Sequence, residues 1–122
     1  MSDPLQREWG FYISDMIAFA EKVVAYTNGL DQEKFVSGGL NYDAAMRNLS
    51  MVSEAAARIP DHVRTFASEI NWQQYVGAHN RLIHSYWEIN NNIVWGITQN
   101  EIPVLIEQLH ALKKAADENQ IR

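Results

Sequence analysis

The stretch WGFYISDMIAFAEKVV, residues 9–24, decides the fold class of this chain. Its apolar residues recur at intervals of three and four, which is the spacing of one face of an α-helix. They are Trp9, Tyr12, Ile13, Met16, Ile17, Ala20, Val23 and Val24. Asp3 can cap such a helix, Pro4 suits its first position, and Gly29 suits its C-terminal exit. The pattern therefore predicts a first helix from Pro4 to about Asn28.

The same spacing continues along the chain, and strand-like alternation is weak. We expect further helical segments, at about residues 31–37, 42–59, 61–68, 71–87, 93–99 and 101–114. From Ala115 the sequence is polar, and we expect this tail to fray. Short loops between long helices favour antiparallel neighbours. The sequence therefore predicts a single all-α domain over residues 1–122, an up-and-down antiparallel bundle of about five to six helices.

Caps and apolar faces support these helices. Asn71 can cap the helix that follows it, with Gln74 placed to reach back as in a capping box. Asn90, Asn91 and Asn92 are expected to form a turn and a cap. The last helix carries Pro103 in its first turn, where a missing N–H costs little. The buried faces are predicted to comprise Ala45, Leu49, Val52 and Ala56 in the third helix and Ile102, Leu105, Ile106, Leu109 and Leu112 in the last.

Composition narrows the class of protein. Apolar residues make up 47% and charged residues 20% of the 122 residues, as in a globular domain with one core. The chain has no cysteine, which excludes disulfides and thiolate metal sites and agrees with a cytoplasmic location. Its apolar runs are too short to span a bilayer, so no membrane partner is expected. The net charge of −5 argues against nonspecific coating of nucleic acid, but a local site built from a few arginines remains compatible with it.

Residues 77–86, GAHNRLIHSY, concentrate the side chains suited to RNA chemistry. They include His79, Arg81, His84 and Tyr86. An imidazole transfers protons near neutral pH, and a cation stabilises charge on phosphate, so this set could cut RNA without a metal. The structural alternative is that the histidines and the tyrosine only pack in a helix interface.

Six ordered segments resemble the HepT-like HEPN-domain family, the toxins of type VII toxin–antitoxin systems. The segments are Tyr42–Leu49, Ser53–Ala56, Ile70–Trp72, Asn80–Tyr86, Ile93–Trp95 and Ile102–Leu105. The resemblance extends over about residues 5–113. It implies a helical bundle that forms a homodimer through its motif helices. It also implies a metal-independent endoribonuclease without a cofactor, acting as a toxin on cellular RNA, with tRNA as a target class.

The resemblance also implies a partner and a modification. The partner is a nucleotidyltransferase antitoxin of the MntA type, which neutralises the toxin by transferring AMP to the motif tyrosine. The family motif is an arginine, four to six variable residues, a histidine, any residue and a tyrosine. His84 and Tyr86 match its end, which implies that His84 is the catalytic acid or base and that Tyr86 accepts AMP. Where the four-residue form requires arginine, this chain has His79.

The departure at His79 leaves several interpretations open. His79 could replace the arginine as a weaker, pH-dependent phosphate contact, it could serve as the acid partner, or the site could be impaired. Five positions separate it from His84, about 140° around an ideal helix, so the two rings do not share one face. Arg81 neighbours His84 on the helix surface and could supply the cation, or it could face solvent. Asn80 could bind phosphate or orient a ring, or it could only join two helices.

Other chemically suggestive residues are interpreted as structural. Packing is expected for Trp72, Trp87 and Trp95. A metal site is not expected at His62 or His110, which lack partners in the sequence. Three arginines could form an RNA-facing patch, although a solvated helix face is the simpler interpretation. They are Arg47, Arg58 and Arg64. The leading hypothesis is a ribonuclease toxin; the alternatives are a catalytically silent partner of a nucleotidyltransferase and a purely structural helical dimer.

Overall fold

The computed structural model describes residues 4–77 and 90–121, with side chains from residue 8 onward. These residues form helices joined by short turns, and none of them lies in a β-strand. The helices are α1 (Pro4–Thr27), α2 (Gln32–Ser37), α3 (Leu40–Ala56), α4 (Asp61–Phe66), α5 (residues 72–77), α6 (Asn91–Gly96) and α7 (Ile102–Asp117). A π-helical turn, Ile97–Glu101, joins α6 to α7. The predicted all-α fold is confirmed.

Helices α1 and α3 form the antiparallel centre of the bundle. Near the end of α1, the backbone oxygen of Tyr26 accepts a hydrogen bond of 3.1 Å from Nδ2 of Asn41, at the start of α3. Near the start of α1, the ring of Tyr12 lies 5.6 Å from the guanidinium of Arg58, just after α3. Because opposite ends meet, the two helices run in opposite directions.

Helix α7 packs along α1 as well. The short helix α2 follows α1 directly, and its Phe35 ring lies 5.3 Å from the ring of Trp95 in α6. Since α6 continues through the π-helical turn into α7, the last helix starts beside the C-terminal end of α1 and returns along it. His110 Nε2 of α7 and Glu21 Oε1 of α1 then lie 3.7 Å apart on the surface.

The core contains most of the apolar faces that the spacing predicts. In α1 the buried members are Trp9, Ile13, Met16, Ile17, Ala20 and Val23; in α3 they are Ala45, Leu49, Val52 and Ala56; in α7 they are Ile102, Leu105, Leu109 and Leu112. Tyr12 and Ile106 are only half-buried. Val24 is exposed, so its assignment to the buried face of α1 is wrong. At about 100° per residue, Val24 falls between Ile13 and Ile17 on the same face, so helical phase alone does not explain its exposure.

Helix α3 is shifted towards the N-terminus relative to the prediction. It covers Leu40–Ala56 and ends before Pro60 is reached. The backbone N–H of Ile59 bonds to the carbonyl of Ala56, three residues back, so residues 57–59 form a tight turn. The guanidinium of Arg64 donates from Nη2 to the same carbonyl at 3.0 Å and caps the helix end.

The prediction that the chain frays from Ala115 is wrong for the residues that the structure describes. Helix α7 continues to Asp117, and both Ala115 and Ile121 are buried. Asn119 adopts a left-handed conformation with φ of 62°, and Gln120 N donates to the carbonyl of Ala115 at 2.9 Å. This is a Schellman cap, which reverses the chain after a helix. The cap returns Ile121 to the core, which a polar composition does not reveal.

Candidate functional site

The residues predicted to carry the chemistry lie outside the described part of the chain. They are His79, Asn80, Arg81, His84 and Tyr86, and the same holds for Trp87. Their mutual geometry and their role in a dimer therefore stay predictions. The structure defines the two borders of this segment, which are α5 before it and α6 after it.

The border on the α5 side is fixed by three polar contacts. Gln74 N donates to Asn71 Oδ1 at 3.2 Å, which confirms the predicted cap. The buried Trp72 donates from Nε1 to the carbonyl of Ala67 at 3.1 Å, so this tryptophan packs as expected. The Ser53 hydroxyl of α3 donates to the carbonyl of residue 76 at 3.3 Å. Helix α5 therefore leaves the described region in contact with α3.

The border on the α6 side is also attached to α3. Asn90 caps α6 by accepting bonds from the backbone N–H groups of Asn92 (3.0 Å) and Ile93 (3.3 Å). The hydroxyl of Tyr42, in α3, donates to Asn91 Oδ1 at 3.1 Å. The helix begins two residues earlier than predicted, because the first of the three asparagines is the cap.

An aromatic cluster packs against the α6 border. Phe35 is completely buried, and its ring centroid lies 5.1 Å from that of Tyr42 and 5.3 Å from that of Trp95. These separations are typical of favourable tilted aromatic pairs. The cluster joins α2, α3 and α6, so Trp95 packs, as its interpretation from the sequence requires.

The π-helical turn has a cause in the sequence, at Pro103. In an α-helix the residue at 103 would donate its N–H to the carbonyl of Gln99, but proline has no N–H and its ring crowds that carbonyl. Widening the helix over Ile97–Glu101 relieves the conflict, and Ile102 N then bonds to Ile97 O, five residues back. Such turns are often found at functional sites.

The start of α5 and the π-helical turn border an open cleft of about 530 Å³. The described residues that line it are Asn71, Gln74, Ile93, Gly96, Ile97, Asn100 and Glu101. Within it, Asn71 Nδ2 donates to Gln74 Oε1 at 3.1 Å, and Gln74 Nε2 donates to Glu101 Oε2. A relay of two amides thus orients one carboxylate. Sequence reasoning missed this pair because 27 positions separate its members and no local pattern connects them.

A comparison with known protein families identifies the family to which this helical chain belongs. The family model described as Ribonuclease HepT-like matches residues 16–112. The chain belongs to the HepT-like ribonuclease family. The matched range contains both borders, the cleft and the segment between them.

Several curated proteins are similar to this HepT-like chain. A candidate RNase of Caldanaerobacter subterraneus subsp. tengcongensis is 29% identical over 98 residues, covering 80% of this chain and 88% of that protein. A candidate RNase of Methanocaldococcus jannaschii is 24% identical over 113 residues, covering 93% and 97%. A protein of Thermococcus cleftensis named probable ribonuclease HepT is 24% identical over 110 residues, covering 90% and 100%. No solved structure matches the chain significantly.

The remaining candidate residues of this HepT-like chain have structural contacts or lie on the surface. Arg58 lies over the ring of Tyr12, and Arg64 caps α3, so both have structural contacts. Arg47 is exposed on α3. Over residues 4–77 and 90–121, no three histidine, aspartate or glutamate side chains converge in a way that could hold a metal ion. Within the same ranges, no helix has the length and apolarity needed to cross a membrane.

Tyr75, on α5, is the one side chain beside the cleft whose protonation the fold clearly changes among the described residues. Burial raises the pKa of Tyr75 to about 12, and the negative charge of Glu101 adds to the shift. Both effects disfavour the phenolate. Tyr75 is therefore neutral at physiological pH and does not act as a base there.

This shift predicts a specific loss of stability in alkali. An unfolded tyrosine ionises near its ordinary value of 10.0, whereas folded Tyr75 keeps its proton to about 12. The stability that the fold gains from keeping Tyr75 protonated is therefore fully present below pH 10 and is lost as the pH rises through about 12. Between these two pKa values the free energy of unfolding should fall by about 2 kcal/mol more in the parent chain than in Tyr75→Phe. A pKa shift of this size represents a free energy of that order. Urea unfolding at several alkaline pH values measures the difference; equal slopes for the two proteins would contradict it.

Proposed function

We propose that this chain is a metal-independent endoribonuclease that acts as the toxin of a toxin–antitoxin pair. The observation that carries the proposal is the family match over residues 16–112, which includes the His84-Ser85-Tyr86 motif. The relatives named as RNases support the same activity. RNA is the substrate class, and tRNA is its first candidate.

The proposed reaction is an internal transesterification of RNA. His84 accepts the proton of a ribose 2′-hydroxyl while the 2′-oxygen attacks the adjacent phosphorus. The bond from phosphorus to the 5′-oxygen of the next nucleotide breaks, and that oxygen takes up a proton from solvent. The products are a 2′,3′-cyclic phosphate end and a 5′-hydroxyl end. Arg81 and His79 are the candidates for stabilising charge on the phosphate, and Asn80 is the candidate for orienting it.

Control of the toxin is proposed to act on Tyr86. A nucleotidyltransferase antitoxin of the MntA type would transfer AMP from ATP to the tyrosine hydroxyl, releasing pyrophosphate. The motif supports this because the tyrosine lies two residues after the proposed catalytic histidine. An added phosphate there would bring negative charge close to the RNA phosphate and repel it. A homodimer would place two such motifs across one two-fold axis.

The experiment that tests the ribonuclease proposal is cleavage of total tRNA by the purified protein in excess EDTA. We expect fragments that end in a cyclic phosphate, at a rate unaffected by the chelator. Absence of cleavage with and without added divalent metal would contradict the proposal. Cleavage that disappears with EDTA would contradict the metal-independent mechanism.

A second candidate function is a catalytically silent partner of a nucleotidyltransferase. His79 favours it, because it occupies the position where the family motif has an arginine. Under this reading the chain would bind the nucleotidyltransferase without cutting RNA. A pull-down with that partner, together with the cleavage assay, separates the two functions.

Replacement of His79 by arginine is expected to raise the cleavage rate at neutral pH by about tenfold or more, the scale of one added charge-stabilising donor. Arginine stays charged at all working pH values, whereas an ordinary histidine is charged only in slightly acidic solution. The gain should therefore be larger at pH 8 than at pH 6. Initial rates of tRNA cleavage measure it. The control is His62→Arg, which adds the same group on exposed α4 and should leave the rate unchanged. An unchanged rate in His79→Arg would show that this position does not limit catalysis.

A further inference from the structure

The cleft between α5 and the π-helical turn is open to solvent and has both apolar and polar walls. Its volume of about 530 Å³ lies within the range of small-molecule pockets, about 300–1,000 Å³. It combines apolar surface from Ile93 and Ile97 with the polar groups of Asn71, Gln74, Asn100 and Glu101. Unstacked RNA bases are held by this combination, with apolar or aromatic contact to the ring face and hydrogen bonds to the base edge.

The amide relay determines which hydrogen-bonding groups the cleft presents. Because Gln74 Oε1 accepts from Asn71, the other end of the Gln74 amide is its donor end, and this end points to Glu101. An amide nitrogen carries two N–H groups, whereas a carboxylate only accepts, at about four lone-pair positions. The hydrogen bond from Gln74 to Glu101 uses one N–H of the amide and one lone-pair position of the carboxylate. The pair therefore presents a donor beside an acceptor that carries a full negative charge.

This pattern matches one RNA base. We propose that the cleft binds guanine in single-stranded RNA, with Glu101 accepting from its N1–H and N2–H₂ groups and Gln74 donating to its O6. The inference rests on the proposed ribonuclease function. Guanine alone among the four bases has two adjacent donors on its Watson–Crick edge. Adenine and cytosine place a ring acceptor beside their amino group, and uracil places acceptors on both sides of its N–H. The charge of Glu101 also repels phosphate, which favours a base edge over the RNA backbone.

The position of the cleft connects it with the motif. Gln74 lies three residues before Gly77, where the motif stretch begins, and Ile93 follows Tyr86 by seven residues. Both walls are anchored to the same helix, α3, through Ser53 and Tyr42. We expect a guanine held there to restrict which phosphates of the RNA are cut. The expected consequence is a preference for cutting RNA at a fixed distance from guanine.

Binding of short RNA to the His84→Ala variant tests the inference without cleavage of the probe. The probes are fluorescent oligoadenylate heptanucleotides whose central base is guanine, hypoxanthine, adenine, cytosine or uracil. We expect guanine to bind about tenfold more tightly than hypoxanthine, which lacks only the N2 amino group, within the range for one good polar contact. Adding Glu101→Gln should bring guanine to the hypoxanthine level. Adding Glu54→Gln instead, at an exposed glutamate of α3 outside the cleft, should keep the preference.

A second variant tests occupancy of the cleft without changing its charge. A Cβ added at Gly96, which lines the cleft, meets no atom within 4 Å, so Gly96→Ala narrows the space without strain. It should weaken binding of the guanine probe several-fold and leave the melting temperature no lower. Gly10→Ala is the matched control: a Cβ there also meets no atom within 4 Å, and α1 is equally helical, but the residue does not line the cleft.

Three results would overturn the inference: equal affinity for all five probes, a guanine preference that survives Glu101→Gln, or no binding of any probe. These results are distinguishable from failure of the proposed function. A chain that cleaves tRNA in EDTA but shows no guanine preference loses only the inference about the cleft. A chain that prefers guanine without cleaving any RNA keeps the cleft and loses the ribonuclease.

Discussion

Replacement of His84 by alanine is expected to lower the rate of RNA cleavage in EDTA by about 10²–10⁴-fold, the usual contribution of a positioned acid or base. In the proposed mechanism the imidazole of His84 accepts the proton of the attacking 2′-hydroxyl, which an imidazole can do near neutral pH. Initial rates on total tRNA measure the effect. His84→Asn should be as inactive as His84→Ala, because an amide forms hydrogen bonds but does not transfer protons at this pH.

The control for this experiment is His110→Ala. His110 is exposed on α7, and its Nε2 lies 3.7 Å from Oε1 of Glu21, in a surface contact that is worth little to stability. Its removal should leave the cleavage rate within about twofold of the parent, as is usual for a surface substitution. Thermal melting of all variants shows whether each one is folded. A folded His84→Ala protein with the parent rate would refute the assigned role of His84.

Replacement of Phe35 by alanine is expected to destabilise the fold by about 3–5 kcal/mol, the usual cost of removing a large aromatic side chain from a core. The ring is completely buried, and it contacts Tyr42 and Trp95 at once. Its loss leaves a cavity where three helices meet and removes two aromatic pairs. Urea unfolding at neutral pH measures the change.

Phe11→Ala provides the comparison for the Phe35 variant. Phe11 is 65% exposed on α1, so its removal should change stability by less than about 0.5 kcal/mol. Equal losses in the two variants would contradict the packing described for α2. The Phe35 change should also impair cleavage in protein that is still folded, because the cluster supports the α6 border of the motif segment.

Helix ends were predictable where one residue type decides the backbone. Gly29 adopts φ of +80° and follows α1 as its sequence position suggests. Asp31 caps α2 by accepting from Lys34 N at 2.8 Å. The end of α3 was not predictable, because it depends on Arg64, a residue eight positions further along that bonds to Ala56. Burial of Ile121 likewise depends on tertiary packing.

The residues of the candidate site also fall into those that the sequence could identify and those that it could not. The motif residues His84 and Tyr86 were identified from the sequence through a family pattern, and their arrangement in space remains a prediction. The Gln74–Glu101 pair was invisible in the sequence, since its members belong to different helical elements and neither stands in a motif of catalytic residues. Pro103 did contain a usable signal, because its ring conflicts with the carbonyl of Gln99 in any continuous α-helix.

The π-helical turn has a further consequence for how this chain tolerates length changes. Residues of an α-helix are offset by about 100°, so one residue gained or lost rotates everything beyond it by that angle. Ile97–Glu101 holds such an extra residue between α6 and α7. Deleting Gln99 would rotate α6 by about 100° relative to α7 and turn Trp95 away from Phe35, while the conflict at Pro103 would remain. The turn thus sets the rotation of α6 about its own axis relative to α7. A single-residue deletion there would be more disruptive than most substitutions.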